Sequence, residues 1–146
     1  MMIILEDLTR LQQDWLTSKE SLTQRLRAFT HNKITHHLFY DDWGITDQNQ
    51  EAWIRRMEWR YENEVWVSCI VVIPETSMTA ETSELMHIGK RSIGDILFQD
   101  PTLTRSDFVF SVLENGNIKR TSTFYYKNHP IVLVENFFPE FLGKIE

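Results

Sequence analysis

The stretch FVFSVLENGNIKRTSTFYYKNHPIVLVENFF, Phe108 to Phe138, decides the fold. Phe108 to Leu113 reads as a strand that leads into Asn115-Gly116. That dipeptide is the strongest short signal for a tight hairpin, because both turn positions accept positive φ. Ile118 to Tyr126 continues as a second strand. Lys127-Asn128-His129-Pro130 then reads as another turn, into Ile131 to Phe138. The C-terminal third is therefore a three-stranded antiparallel meander.

Upstream of it, Trp53 to Tyr61 alternates clearly, and Glu62-Asn63-Glu64 turns the chain into Val65 to Ile73. Ile34 to Phe39 is a further strand candidate. Gly44 to Gln50 reads as a loop, and so does Pro74 to about Thr79. Leu8, Leu11 and Trp15 are spaced three and four apart, as on one helix face. Thr17 and Glu20 read as a capping box opening a second helix with the face Leu22, Leu26 and Phe29. A short helix is expected between about Thr79 and Gly89, with the glycine as its C-terminal cap. Ser92 caps another short piece carrying Ile93, Ile96 and Leu97. Strands joined by short turns, with helices in separate blocks, predict an α+β fold around one largely antiparallel β-sheet.

Composition bounds the function. A chain of 146 residues suits one domain, 1–146, with a core large enough to need no staples. One cysteine makes no intrachain disulfide and no thiolate zinc site. With 21 acidic against 15 basic residues the net charge is −6, which disfavours nucleic acid and anionic membranes as partners. Met1 to Leu5 is too short for a signal-peptide core and is followed by Glu6 and Asp7. No apolar run of about 18 residues is present, so the chain is expected to be soluble and cytoplasmic.

Two charges stand on faces that should be apolar. Along the strand from Trp53, one face carries Trp53, Arg55, Met57, Trp59 and Tyr61. A buried guanidinium is costly, so Arg55 needs an anion beside it, either a protein carboxylate or a ligand. Ile131 to Phe138 is apolar on both faces and reads as a strand covered on both sides. Glu135 interrupts the face of Ile131, Leu133 and Phe137. Arg55 and Glu135 either pair with each other or with other neighbours, or line a pocket for a polar ligand. Arg120 shares a face with Ser122, Phe124 and Tyr126 and reads as a solvated or edge residue, with a pocket role as the alternative.

Other candidates carry less. His36 and His37 are adjacent on a strand and point opposite ways; His31, His87 and His129 have no ligand-like spacing. Cys69 reads as inert packing. Gly89 and Gly94 form no phosphate-cradling loop, and no Gly-x-Ser-x-Gly elbow is present. Acyl transfer, nucleotide chemistry and metal hydrolysis are disfavoured.

Four blocks, in this order, resemble the bacterial chorismate lyase (chorismate–pyruvate lyase) family. They are Ser21 to Arg25; Trp53-Ile54-Arg55 with Trp66 and Val71 to Pro74; Ile88 to Lys90 with Ile93 to Phe98 and Thr102 to Arg105; and Arg120 to Ser122 with Pro130 to Glu135 and Phe138-Pro139. Together they cover most of the chain. The resemblance implies a monomeric antiparallel sheet with helical flaps over an internal site. It implies elimination of pyruvate from chorismate to give 4-hydroxybenzoate, the entry to ubiquinone, without metal or organic cofactor. Arg55 matches the arginine that holds the ring carboxylate, and Glu135 the glutamate that contacts the ring hydroxyl. Leu22 and Ile93 match flap positions that contact the ligand, partly through backbone groups.

There are departures. Leu22 stands where methionine is familiar, and a backbone contact survives that change. Ile70 stands where an arginine is familiar, so a second cation for the side-chain carboxylate is expected to be missing there. Asp42 to Gln50 is shorter than in the family, so one pocket rim should differ. The alternative to an enzyme is a non-catalytic domain of the same fold that binds an aromatic acid as effector. A dianionic substrate would be repelled by the overall charge, so its attraction must be local, from Arg55 with Arg120 or Arg105 as further sources.

Overall fold

The computed structural model describes residues 7–145, so the reading of Met1 to Glu6 falls outside it. The strands are β1 Thr35–Ile45, β2 Glu51–Tyr61, β3 Glu64–Pro74, β4 Thr104–Arg105, β5 Val109–Val112, β6 Ile118–Tyr126 and β7 His129–Phe137. They form one seven-stranded sheet in the order β1-β2-β3-β7-β6-β4, with β5 also pairing β6. Every pairing is antiparallel. The helices are α1 Arg10–Thr17, α2 Leu22–Phe29, α3 Ile93–Leu97 and α4 Pro139–Leu142. The expected α+β architecture is the one observed. No helix among the described residues is long and apolar enough to cross a membrane.

The hairpins follow from turn chemistry. Glu62 and Asn63 both take positive φ, 51° and 66°, and so do Lys127 and Asn128, at 48° and 67°. Two consecutive left-handed residues match the twist of the flanking strands. His129 and Pro130 therefore belong to β7 rather than to the turn, with Pro130 opposite Tyr125. Gly116 has φ 88°, as its turn requires.

Several boundaries move. The residues at Gly44 and Ile45 are strand, not loop, because β1 stays in register with β2 from Trp43 opposite Trp53 to Ile45 opposite Glu51. A Cβ on Gly44 would lie 3.0 Å from Ile54 Cδ1, so close strand packing selects glycine there, against its low strand propensity. Thr17 and Glu20 form no capping box. Thr17 ends α1 and its hydroxyl donates to the Gln13 carbonyl, while Ser21 caps α2 by accepting from the Gln24 amide. The capping box belongs to α1 instead, between Thr9 and Gln12.

The buried face of α1 is Gln12, Trp15 and Leu16, one residue round from the expected stripe, and Leu11 is exposed. Gln12 is drawn inward because its amide donates to the Leu142 carbonyl at 2.8 Å. In α2, Leu26 is buried but Phe29 is exposed. The short helix before Gly89 is a 3-10 turn, Ser83–His87. In β7, Ile131, Glu135 and Phe137 are buried, whereas Val132 and Val134 are only half-buried. That strand is therefore covered mainly on one face, where Leu133 alone is half-buried.

The core lies between this face and the helices. Phe141 of α4 meets Trp15 of α1 edge-on at 5.2 Å and Trp66 of β3 at 5.1 Å. Such contacts add about 0.5–1.5 kcal/mol each beyond area burial. They fix α1 over one end of the sheet and leave α2 and α3 over its middle.

Candidate active site

Residues on β2, β3, β7 and β6 that share a row point to the same face. One row is Met57, Cys69, Glu135 and Arg120; the next is Arg55, Val71, Leu133 and Ser122. Above them lie the N-termini of α2 and α3. Between sheet and helices is a cavity of about 40 Å³. Its floor includes Met57, Trp59, Cys69, Phe124, Leu133, Glu135 and Arg105, and its roof Ser21, Leu22, Thr23, Ser92, Ile93 and Gly94. Leu22, Ile93 and Glu135 thus line one cavity, and Arg55 is not among its lining residues.

The two helices are tied together. Arg27 grips Asp95 with two hydrogen bonds, 2.8 and 3.0 Å. The Thr23 and Ser92 hydroxyls are 2.8 Å apart and buried. A Cβ on Gly94 would lie 3.1 Å from Thr23 Oγ1 and 3.4 Å from Ser92 Oγ, so the glycine permits this approach. Gly94→Val is expected to destabilise the protein by about 1–3 kcal/mol through overpacking. Urea unfolding checks this; an unchanged midpoint would mean the two helices part freely.

Glu135 does not pair with Arg55. Arg120 Nε donates to Glu135 Oε1 at 2.7 Å and Arg120 Nη2 to Oε2 at 3.3 Å. Arg105 Nη2 donates to Oε1 at 3.2 Å. All three side chains are buried, at 2%, 1% and 5% exposure, which corrects the reading of Arg120 as solvated. Arg120 is drawn inward by a second duty: its Nη1 donates to the Leu16 carbonyl at 2.7 Å, at the C-terminal end of α1. The guanidinium of Arg105 stacks on Phe124 at 4.4 Å and on Phe108 at 4.6 Å.

Two guanidiniums against one carboxylate leave an excess positive charge in an enclosed place. Burial pushes the Arg105 pKa down to about 10, with Glu135 opposing that shift and Arg120 adding to it. Buried ion networks contribute little net stability over well-packed apolar residues. A surplus cation is costlier still, so this arrangement points to an anionic ligand. Cys69 stands opposite Glu135 in the ladder, and burial, then the Glu135 charge, raises its thiol pKa well above the ordinary value. It is not a nucleophile, in keeping with inert packing.

Arg55 is wholly buried one row away. Its Nη2 donates to the carbonyls of Gly89, at 3.1 Å, and Arg91, at 2.8 Å. Its Nη1 lies 3.0 Å from Asp41 Oδ1, an ion pair in which the N–H is not aligned for a hydrogen bond. Nε and Nη1 have no hydrogen-bond partner among the described residues. Strand spacing and rise put the Cα atoms of Arg55 and Glu135 roughly 12 Å apart on the diagonal. A ligand that meets both must carry polar groups at opposite ends of an apolar body.

His36 sits beside Arg55. Its Nδ1 donates to the Lys90 carbonyl at 3.0 Å, and its ring is 4.6 Å from Trp59. Burial lowers its pKa from 6.5; the Lys90 carbonyl opposes this, and Arg55, Arg27 and His37 add to it. The unfolded chain therefore takes up the proton first as pH falls, and stability is lost below about 6.5. Thermal melts of wild type and His36→Gln between about pH 7 and 5 check this. The wild type should lose more stability on acidification, and parallel curves would reject the assignment.

Ile70 pairs with Arg56 and Val134, on the face opposite Cys69 and Glu135. An arginine at that position would not reach the cavity in this register, so Ile70 removes no cation from it. None of residues 42–50 lines the cavity, so the short hairpin tip does not alter its rim. Sequence reasoning missed Ser21, Thr23 and Ser92, which line the roof with Leu22 and Ile93, and named Arg105 only as a further source of local attraction, beside Arg120. The only sequence signal for Arg105 was its place in the third family block, because a two-residue strand has no readable periodicity.

Comparison with known proteins identifies the family. The chorismate lyase family model matches residues 4–145. A protein of Coxiella burnetii named "Probable chorismate pyruvate-lyase" is 37% identical, over 90% of this chain and 84% of its own. The chorismate pyruvate-lyase of Proteus mirabilis is 26% identical, over 92% of this chain and 84% of its own. That of Pectobacterium atrosepticum is 25% identical, over 87% and 76%. With the family match running over nearly the whole chain, and a relative 37% identical, the chain belongs to the chorismate lyase family.

Proposed function

We propose that this protein eliminates pyruvate from chorismate to give 4-hydroxybenzoate, supplying the aromatic ring of ubiquinone. The observation that carries the reading is that Arg55 and Glu135 are both buried on one face of the sheet, two residues and two strands apart, the face that α2 and α3 cover. Arg55, whose Nε and Nη1 make no hydrogen bond among the described residues, holds the ring carboxylate. Glu135 accepts from the ring hydroxyl at the other end. Leu22 and Ile93 close over the ring from the two flaps.

The reaction breaks the C3–O bond and removes the C4 proton. That proton goes to the methylene carbon of the departing side chain, which leaves as pyruvate, and the ring becomes aromatic. The balance needs no oxidant, reductant or cofactor. Aromatisation supplies the drive, so the residues need only orient, stabilise charge and exclude water. Glu135 acts mainly through orientation, since the proton transfer runs within the substrate.

A cavity of about 40 Å³ holds on the order of three waters, not a substituted ring. α2 and α3 must therefore swing apart to admit chorismate and to release product. The test is purified protein with chorismate, following 4-hydroxybenzoate by absorbance and pyruvate by a coupled assay. Equimolar products support the reading, and no product from folded protein rejects it.

A further inference from the structure

We propose that Arg105 binds the enolpyruvyl carboxylate of the substrate, and so selects a ligand with a second anion beside its hydroxyl. This rests on the reading of Glu135 as the group that meets the ring hydroxyl. In chorismate the enolpyruvyl ether on C3 is next to the hydroxyl on C4. With that hydroxyl at Glu135, the side-chain carboxylate falls beside whichever cation flanks Glu135.

Two cations flank it, and one is already engaged. Arg120 uses Nε and Nη2 on Glu135 and Nη1 on the carbonyls of Trp15 and Leu16. It is not among the cavity-lining residues. Arg105 lines the cavity, with Nε on Ser122 at 3.0 Å and Nη2 on Glu135. Its Nη1 makes no hydrogen bond among the described residues. Phe108 and Phe124 stack on its guanidinium and hold the plane in place. The surplus positive charge of the Arg105–Glu135–Arg120 group is neutralised once a carboxylate arrives. Ile70 points to the other face, so Arg105 is the cation that this chain offers to that carboxylate.

Two unreactive aromatic acids test the assignment: 3-(carboxymethoxy)-4-hydroxybenzoate, which carries the second carboxylate, and 3-methoxy-4-hydroxybenzoate, which lacks it. Calorimetry on the wild type should show the dianion binding at least about tenfold tighter, as for one desolvated charge-assisted contact. Arg105→Gln should abolish that difference while leaving the methoxy acid within about threefold, and Arg105→Lys should restore part of it. With chorismate, Arg105→Gln should raise KM far more than it lowers kcat. Equal wild-type affinity for the two acids overturns the proposal, and that measurement needs no variant to fold. So does an equal loss of both acids in Arg105→Gln, which would mark Arg105 as a support for Glu135. A wild type that binds neither acid and leaves chorismate intact rejects the lyase reading itself, and this proposal with it.

Discussion

Replacing Glu135 with alanine is expected to cost about 3–5 kcal/mol of stability, the penalty for leaving buried charge uncompensated. Arg105 and Arg120 would face each other across the vacated space, at 5% and 1% exposure, with no carboxylate between them. Arg120 would keep its hold on the end of α1, so the strain falls on the sheet rather than on that helix. Turnover should fall below detection, because the hydroxyl end of the substrate loses its acceptor. Glu135→Gln keeps the shape and one acceptor oxygen but not the charge, so it should lose less stability than alanine while still losing most activity. Urea unfolding and steady-state kinetics on both variants decide the matter. An alanine variant as stable as wild type would mean that the two arginines find other anions.

Arg55→Ala is expected to lower kcat/KM for chorismate by about 10²-fold or more, since each charge-assisted hydrogen bond removed from a buried site costs about 1.5–3 kcal/mol. It also strands Asp41, whose Oδ1 would keep only its bond from Trp53 Nε1, at 2.8 Å. The carbonyls of Gly89 and Arg91 lose their donor, and they lead directly into Ser92 and the α3 flap. Arg55→Lys keeps a charge but not the fork that reaches two carbonyls and a carboxylate at once. It should therefore recover stability more than activity. Near-normal kinetics in the alanine variant would remove Arg55 from the site and leave it as a tie between β2 and the flap loop.

Much of the sheet was legible because its signals are local. Gly116 and Asn128 announce turns as residues that tolerate positive φ, and Lys127 is carried into the same region by its hairpin. The alternation from Trp53 shows that Arg55 faces the core, whatever that face packs against. The errors came where packing overrode propensity. Gly44 is strand because Ile54 crowds it, and α1 is rotated because Gln12 finds the Leu142 carbonyl. Thr17 and Glu20 carry the letters of a capping box, but Thr17 spends its hydroxyl on the Gln13 carbonyl, and Ser21, at the true start of α2, accepts from the Gln24 amide.

The sequence by itself determined the strands, their faces, and the presence of two charges where apolar residues belong. It also determined the family, through four blocks in register. Only the tertiary structure decided which partner each charge takes. Glu135 meets Arg105 and Arg120 because β7 lies between β3 and β6 and because β4 pairs with the far end of β6. Arg55 meets Asp41 because β1 shifts register at a bulge between Leu38 and Tyr40. Periodicity encodes which way a side chain points, since that depends on the backbone within a few residues. Its neighbour across the sheet depends on pairings between segments far apart in the chain, which no local pattern records.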